Sequence, residues 1–596
     1  MTFNQEDLLL SVRKPGRYIG REWNSVKKNL DAVDVSVVLT YPDAYEVGMS
    51  NLGLSILYDI VNADPKAICE RVYAPWPDME QALRASDLRL WSLETKRPLA
   101  DFDVVGVTLQ HELNYTNILT VLDLGGIPIR AADRRDNDPV VIGGGPCAYN
   151  PAPLISFFDA FVLGDGEEVI AEIVAAVREH KTKKRGQKEE SREGLLKRLA
   201  DLDGVYVPAL YDAQAGPVRS RSIEDIDEFN LPKKPLVPYI ETIHDRLQTE
   251  IMRGCGRACR FCQAGIVYRP VRCRRPENVI NAVRDGLAST GYSEVSLVSL
   301  SSCDYPALLE VVKELVPELT PKGITVSLPS QRLDAFTLEI SEVLGKGRQT
   351  SLTFAPEAGT QRLRDVINKG ISEADILGTA ETAFRSGWKK LKLYFMVGLP
   401  TETQEDLDGI IELVISLRSL ALDTVPKSAH GQVSITVNVA SYIPKAHTPF
   451  QWAGQDSLET LTEKNAYLRN RLRKSHIRFK WHEPEMAKLE GALARGDERV
   501  ADAIAYAWQD GARFDSWNEY IDFDLWSAAF EKAGLNIKNY ADRLRDIDEA
   551  LPWDVISAGV DKDFLWREYE KARAGLTSED CLTGCEGCGL GCRESG

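Results

Sequence analysis

The sequence predicts an α/β protein: a doubly wound parallel sheet at the amino terminus, a partial (β/α)6 barrel in the centre, and a mainly helical carboxyl-terminal region ending in a cysteine-rich tail. Three observations predict it. Short, almost continuously apolar, β-branched runs alternate with helical stretches from about 30 to 178, the pattern of parallel strands covered on both faces. A second series of such runs occupies 246–452, with polar or glycine-rich segments following the strands. Two tight cysteine clusters, at 255–262 and 581–592, hold seven of the 11 cysteines, a spacing that suits metal ligation better than cross-linking.

With 596 residues, 44% of them hydrophobic, the chain can supply several cores, and about 150 residues per domain gives three or four units. No stretch approaches the roughly 18 apolar residues of a membrane span, and the start, Met-Thr-Phe-Asn-Gln-Glu-Asp, has no basic region followed by an apolar one. The expectation is a cytoplasmic protein of a reducing, oxygen-poor compartment. The balance of 72 basic to 89 acidic residues, net −17, excludes a surface that traps polyanions throughout and leaves only local basic patches for such partners.

Strands of the first domain are read at Val35–Leu39, Val104–Thr108, Val140–Gly144 and Ala160–Leu163. Their brevity and two-sided apolar character make this a Rossmann-like domain. The loops Gly143-Gly-Gly-Pro-Cys147 and Gly164-Asp-Gly-Glu-Glu168 leave strand ends, where such sheets bind ligands. Residues 180–196 are highly charged and read as a nearly core-free solvated helix or linker, followed by a proline-punctuated bridge over 204–245. The resulting division is 1–179, 180–245, 246–480, 481–575 and 576–596.

The chemistry concentrates in Arg253-Gly-Cys-Gly-Arg-Ala-Cys-Arg-Phe-Cys-Gln-Ala-Gly265, where Cys255, Cys259 and Cys262 are spaced C-x3-C-x2-C with Phe261 before the last. Thiolates are the soft ligands that iron–sulfur clusters and zinc favour. Three of them hold three irons of a four-iron cluster and leave the fourth open. The competing reading is a four-thiolate zinc knot completed by Cys273, which accounts for nothing downstream; Cys273 otherwise reads as a packed thiol.

On this triad, and on the β/α series after it, the chain resembles the radical S-adenosylmethionine (radical SAM) superfamily, in an uncharacterised family with an amino-terminal cobalamin-binding-type domain. The resemblance implies a 4Fe-4S cluster whose open iron chelates the amino and carboxylate groups of SAM. An electron from a reductant such as flavodoxin or ferredoxin then cleaves the sulfonium and releases a 5′-deoxyadenosyl radical. It also implies SAM contacts along the core: Phe261 beside the last cysteine; Ser301 and Ser302 after the strand beginning at Glu294; Ser330 and Arg332 after the strand beginning at Ile324; Glu357 after the strand beginning at Ser351; and Gly398 after the strand beginning at Lys390. Glu357 suits ribose hydroxyls or an ammonium; alternatively it pairs with Arg332. A sixth strand, Ser434–Ala440, leads into Ser441-Tyr-Ile-Pro-Lys-Ala-His-Thr-Pro-Phe-Gln-Trp452, in which His447 reads as a loop hydrogen-bonder.

For the first domain the resemblance implies cobalamin near Gly143, Gly144, Gly164 and Gly166. The Asp-x-His-x-x-Gly element of some cobalamin proteins is absent, and Tyr41-Pro-Asp-Ala-Tyr-Glu-Val-Gly48 stands in its place. Bound cobalamin and a domain kept for substrate contacts therefore both remain open. In the helical region Trp481, Trp508, Trp517 and Trp526 read as core. Cys581, Cys585, Cys588 and Cys592, spaced C-x3-C-x2-C-x3-C, suit a second iron–sulfur cluster, a structural zinc or redox-active thiols. The function expected first is a radical SAM enzyme performing cobalamin-dependent methylation of an unactivated carbon. The runner-up is a methylthiotransferase or sulfur-insertion enzyme acting on RNA or protein. In that case Arg257, Arg260, Arg269, Arg272, Arg274 and Arg275 guide phosphates, or more simply pair with acids. A non-enzymatic iron–sulfur scaffold or electron carrier is the third reading, but it needs neither a barrel nor an open iron.

Overall fold

The computed structural model describes residues 5–185, 191–329, 352–473, 475 and 477–591. The amino-terminal sheet contains β1 (Val35–Tyr41), β2 (Ala67–Tyr73), β3 (Val104–Thr108), β4 (Val140–Gly144), β5 (Ala160–Val162) and β6 (Val205–Tyr206), in the order β2-β1-β3-β4-β5-β6. All neighbours are parallel except β5 and β6. Alternation along each strand sends side chains to two separate cores. Val35, Val37, Val104, Val140 and Ile142 pack with the helices Leu52–Ala63 and Glu167–Arg185, whereas Val38, Val105 and Val141 pack with the helix Tyr115–Leu124. Both faces are therefore dry, which is why these strands read as continuous apolar runs.

The charged stretch over 180–196 is not a core-free insertion. The helix Glu167–Arg185 runs into its first residues, and the helix Arg192–Ala200, which begins within it, buries Leu195 and Leu199 before β6 closes the first sheet. The exposed Glu193 and Lys197 hid the apolar spacing of Leu195 and Leu199.

The central region supplies β8 (Leu247–Glu250), β11 (Glu294–Val298), β12 (Thr325–Ser327), β13 (Leu352–Glu357), β14 (Lys390–Val397) and β15 (Ser434–Ser441), the six strands expected. Among the described residues they form two parallel sheets, β12-β11-β8 and β13-β14-β15-β16, the last strand (Arg478–Trp481) being one the sequence reading assigned to no strand. Between β8 and β11 the short strands β9 (Met252–Arg253) and β10 (Arg272–Cys273) pair antiparallel and close the base of the cysteine loop. A shorter pair, β7 (Val218–Arg219) with β17 (Ile556–Ser557), joins the bridge to the carboxyl-terminal region.

The helical region after 481 shares a core with the first domain. Arg513 pairs with Glu80 at 3.0 Å, the Trp508 indole donates to Thr120, the Trp517 indole donates to Asp43, and Asn117 accepts from the Phe514 amide. Trp526 is fully buried and Trp481 stacks on Phe479, so these tryptophans pack. At the centre of this contact the Asp515 carboxylate accepts from Thr116 at 2.6 Å and from the Trp526 indole at 2.9 Å.

Burial raises the Asp515 carboxyl to about 6, against the opposing pull of these hydrogen bonds and of Arg513. Folded protein thus keeps a proton that the unfolded chain releases near its ordinary value of 3.8. The stabilisation is complete below that value and is lost as pH rises through about 6; beyond it the buried charge costs on the order of 3 kcal/mol. Asp515→Asn is expected to raise the melting temperature at pH ~8 and flatten its dependence from pH ~4 to ~6. Anaerobic calorimetry checks this, and a lower melting temperature at the higher pH would contradict it.

Candidate active site

The loop between β9 and β10 carries the triad. Gly254 adopts φ +85°, and a Cβ there would lie 2.5 Å from the Tyr268 carbonyl oxygen, so only glycine joins Arg253 to Cys255 without moving the loop. Arg269 spans the interior, donating to the carbonyls of Gly265 and Arg257, and the Arg260 amide donates to the Ile367 carbonyl. Cys255, Cys259 and Cys262 are half-buried. Burial first, then neighbouring Cys259 and Cys255, push the Cys262 thiol up to about 12, while the Gly265 amide and Lys369 pull it down. A thiol whose ionisation its neighbouring cysteines oppose suits a cationic partner shared with them. Among the described residues no three His, Cys, Asp or Glu side chains converge to metal-ligating distance.

Arginines around this loop are engaged within the protein. Arg260 pairs with Glu568, Arg274 with Glu250, Arg275 with Asp227, and Arg272 with Asp165; Arg257 bridges Asp304 and Asp580 at 3.0 and 2.9 Å. Acid pairing, the simpler of the two roles expected, is what five of the six show, and Arg269 is held by backbone carbonyls instead. Cys273 lies on β10 and is exposed rather than packed.

The implied SAM residues fall into two groups. Phe261, Lys369 and Glu357 come together: Lys369 Nζ lies 6.0 Å from the Phe261 ring centroid and 3.2 Å from Glu357 Oε1. Glu357 ends β13 after a bulge with φ +68°, a left-handed conformation unusual for this residue type. Among the described residues Lys369 is its partner; a pairing with Arg332 falls outside them. The other group is occupied locally. Ser301 donates to Asp304 at 2.6 Å, Ser302 donates to the Leu297 carbonyl, and Ser299 donates to Ser302. Gly398 is explained by its φ of +82°, and the space a side chain would take is lined by Leu461 and Asp456 rather than left for a ligand. Ser330 and Arg332 lie outside the described residues.

A cavity of about 510 Å³ separates the carboxyl edge of the first sheet from the core. Gly143, Gly144, Gly164 and Gly166 all line it, as does Gly106 of β3. A Cβ on Gly144 would meet nothing nearer than Val162 at 3.7 Å, so this strand end presents bare backbone. Facing them from the core are Gln248, Glu250, Arg253, Gly254 and Tyr268. The sequence reading missed these, and the apolar residues of the helix Leu52–Ala63, because nothing in a linear pattern shows which surface another domain will face.

Charges at the foot of the loop are paired in a network. Arg253 donates to Asp165 at 2.9 Å, Glu167 at 2.6 Å and Glu250 at 3.0 Å; Arg272 also reaches Asp165, and Arg274 reaches Glu250 at 3.0 Å. Burial disfavours ionised Asp165 and Glu250, but the guanidiniums outweigh it and hold both carboxyls below the usual range. Losing one partner from such a network typically costs about 3–5 kcal/mol.

Two further contacts frame the loop. Gln263, next to Cys262, donates to the Ala446 carbonyl, and adjacent Lys445 bridges Glu112 at 2.7 Å and Glu490 at 2.8 Å. His447 is buried with φ +59°, donates from Nε2 to the Tyr149 carbonyl at 2.9 Å, and is lowered to about 4 by burial; it is the neutral loop hydrogen-bonder expected. The tail approaches from outside. The Cys581 amide donates to the Gly256 carbonyl at 2.8 Å, Leu582 fills the space beside Gly256, and Asn368 Nδ2 donates to the carbonyls of Ala258 and Ser578. Cys581 and Cys585 are exposed and Cys588 is half-buried, while Cys592 lies outside the described residues.

Comparisons with known proteins agree with this geometry. The radical SAM superfamily model matches residues 249–414, and a model described as radical SAM proteins, N-terminal, matches 53–208. An uncharacterized protein of Methanocaldococcus jannaschii is 27% identical over 507 residues, covering 84% of this chain and 97% of its own. An uncharacterized methyltransferase of Pyrococcus horikoshii is 24% identical over 334 residues, 53% of this chain and 65% of its own. The structure of the radical S-adenosylmethionine methyltransferase TsrM from Kitasatospora setae, with cobalamin and a 4Fe-4S cluster bound, covers 68% of this chain and 74% of its own, with 15% identity and a TM-score of 0.46. No helix among the described residues is long and apolar enough to cross a membrane. With the C-x3-C-x2-C loop set between parallel β/α strands and the superfamily model spanning that same core, the chain belongs to the radical SAM superfamily, whose enzymes use a 4Fe-4S cluster and S-adenosylmethionine.

Proposed function

We propose that this enzyme transfers a methyl group to an unactivated carbon, with cobalamin held in the cavity between the first sheet and the radical SAM core. One observation carries the reading: the glycine-lined carboxyl edge of the first sheet and the Arg253-Gly254 foot of the triad loop are walls of the same cavity. The sheet order β2-β1-β3-β4-β5 is the flavodoxin-like one, whose ligands sit beyond the carboxyl ends of the strands. Bare backbone at Gly144 and the apolar side chains of Leu54, Leu57 and Ile170 suit a broad, flat, largely apolar group. Among the described residues no histidine lines the cavity, so these walls would offer cobalamin no imidazole. The methyltransferase name of the Pyrococcus horikoshii relative is in keeping with the reaction.

When bound, cobalamin supplies a transferable methyl group, and a cluster on Cys255, Cys259 and Cys262 supplies the electron for SAM cleavage. The protein's own part is positional. Gly254 and the β9–β10 ladder fix the loop, Lys369 places a cation beside Phe261 and Cys262, and the two domains supply facing walls of the cavity. Cys581, Cys585 and Cys588, with Cys592, are proposed to hold a second metal, a reading supported by their spacing and by the seating of the tail on Gly256.

Anaerobically reconstituted protein with SAM and a chemical reductant is expected to form 5′-deoxyadenosine. Cys255→Ala, Cys259→Ala or Cys262→Ala should each remove at least about 99% of it, a loss of more than ~2.7 kcal/mol in transition-state terms, together with the iron of one cluster. Cys585→Ala should keep SAM cleavage; metal analysis of that variant then shows whether iron or zinc leaves with the tail, and lost iron with sulfide would favour sulfur insertion.

Cobalamin binding is tested by titrating hydroxocobalamin and following its absorption. Gly144→Leu, which drives a side chain into the cavity, is expected to weaken binding by roughly tenfold or more (about 1.4 kcal/mol) while 5′-deoxyadenosine formation persists. Wild-type protein that takes up no hydroxocobalamin would rule out the cobalamin reading.

A further inference from the structure

We propose that Arg253 is a positioning residue that couples occupancy of the cavity to the iron–sulfur triad; this rests on the reading that the cavity holds a cofactor. Arg253 lies two residues before Cys255 and is itself a cavity wall. Its guanidinium grips Asp165 and Glu167, which line the cavity from the first domain, and Glu250, which lines it from the core. A ligand pressing on the Gly164–Glu167 loop therefore acts on the acids that hold Arg253.

The backbone between Arg253 and the triad has little slack. Gly254 is pinned in the left-handed region with the carbonyls of Tyr268 and Pro270 against the face where a side chain would stand. Across the ladder, Arg272 is the register partner of Arg253 and binds the same Asp165, so both strands at the foot of the loop are tied to one carboxylate of the first domain. Asp165 also accepts from the Ile223 amide at 2.9 Å, which anchors it to the bridge. Arg253 and Arg272 share Asp165, and Arg253 and Arg274 share Glu250, so a change in one contact bears on the others. A patch serving only to glue two domains has no need to terminate at the residues preceding the first cluster ligand.

The test uses the full chain, anaerobically reconstituted, with hydroxocobalamin as the cavity probe and electron paramagnetic resonance as the readout. Only an iron with an open position responds to SAM, so the SAM-responsive part of the reduced spectrum reports the triad. In wild type, hydroxocobalamin is expected to change the reduced fraction at a fixed applied potential by at least about threefold. Arg253→Gln should bind the probe yet lose that response, and Arg253→Lys should recover part of it. A full response in Arg253→Gln overturns the proposal. Should Arg253→Gln fail to assemble a cluster, Glu167→Gln replaces it: a response reduced by half or more supports the coupling, and an unchanged one overturns it. Should wild type bind no hydroxocobalamin, the cobalamin reading falls separately, and the coupling is judged without the probe. Arg253→Gln, or Glu167→Gln in its place, must then alter the SAM-dependent signal, and a spectrum identical to wild type overturns it.

Discussion

Three guanidiniums and three carboxylates, Arg253, Arg272 and Arg274 against Asp165, Glu167 and Glu250, join the first domain to the foot of the cysteine loop, and the remaining architecture is arranged around that joint. Desolvating six charges is expensive, and the same area of apolar contact would hold the domains together at lower cost. Ion pairs have something apolar contact lacks: each admits one partner geometry. An apolar seam tolerates sliding, whereas Arg253, gripped by both oxygens of Glu250 in the core and reaching Asp165 and Glu167 across the joint, fixes the relation between a strand end of one domain and a strand end of the other. The site lies where that relation matters, since the cavity has walls from both.

Parallel sheets direct their carboxyl ends and following loops to one edge. Here the loops after β3, β4 and β5 in the first domain and the segments at β8 and β9 in the core line one cavity. Loops are where ligand contacts can be built without disturbing a core, and two such edges enclose a volume that neither sheet encloses alone. The carboxyl-terminal helices strengthen the arrangement from the opposite face. Their contacts run to Glu80, Thr116, Asn117 and Thr120, on the side of the first sheet that Val105 and Val141 cover. A domain clamped from both faces presents a stiffer edge.

Legibility in the sequence followed the range of the physical signal. The strands of the first sheet and the six of the core were readable because two-sided burial writes continuous apolar runs, and the triad because ligand spacing is a local property. Glycines at 143, 144, 164 and 166 were readable for the same reason: strand-end loops announce themselves by composition, and all four line the cavity. Longer-range facts were not. The helix Arg192–Ala200 was hidden by its own charged face, and β16 by the brevity of Arg478–Trp481. Gly398 suggested a ligand when its requirement is a positive φ against Leu461 and Asp456. Partner choice was equally invisible: Glu357 meets Lys369, 12 residues further along, because the bulge at the end of β13 turns it there.

The cysteine loop is held at separate places by separate parts of the chain, and this separation has a consequence for how the enzyme is assembled. At its foot, Arg253 and Gly254 answer to the first domain and the cavity. Along Gly256–Arg260 it answers to the tail, through the Cys581 amide, the Arg257 bridge from Asp304 to Asp580 and the Asn368 clamp on Ala258 and Ser578. Past Cys262, Gln263 answers to Ala446 at the exit of β15. Among the described residues no cysteine of the tail lines the cavity, and no residue of the first sheet is among these tail contacts. A metal in the tail therefore bears on the outer part of the loop and a ligand in the cavity on its foot, so that the two meet only through the backbone carrying Cys255, Cys259 and Cys262. The triad loop is thus where contacts from the first domain, the tail and the exit of β15 meet.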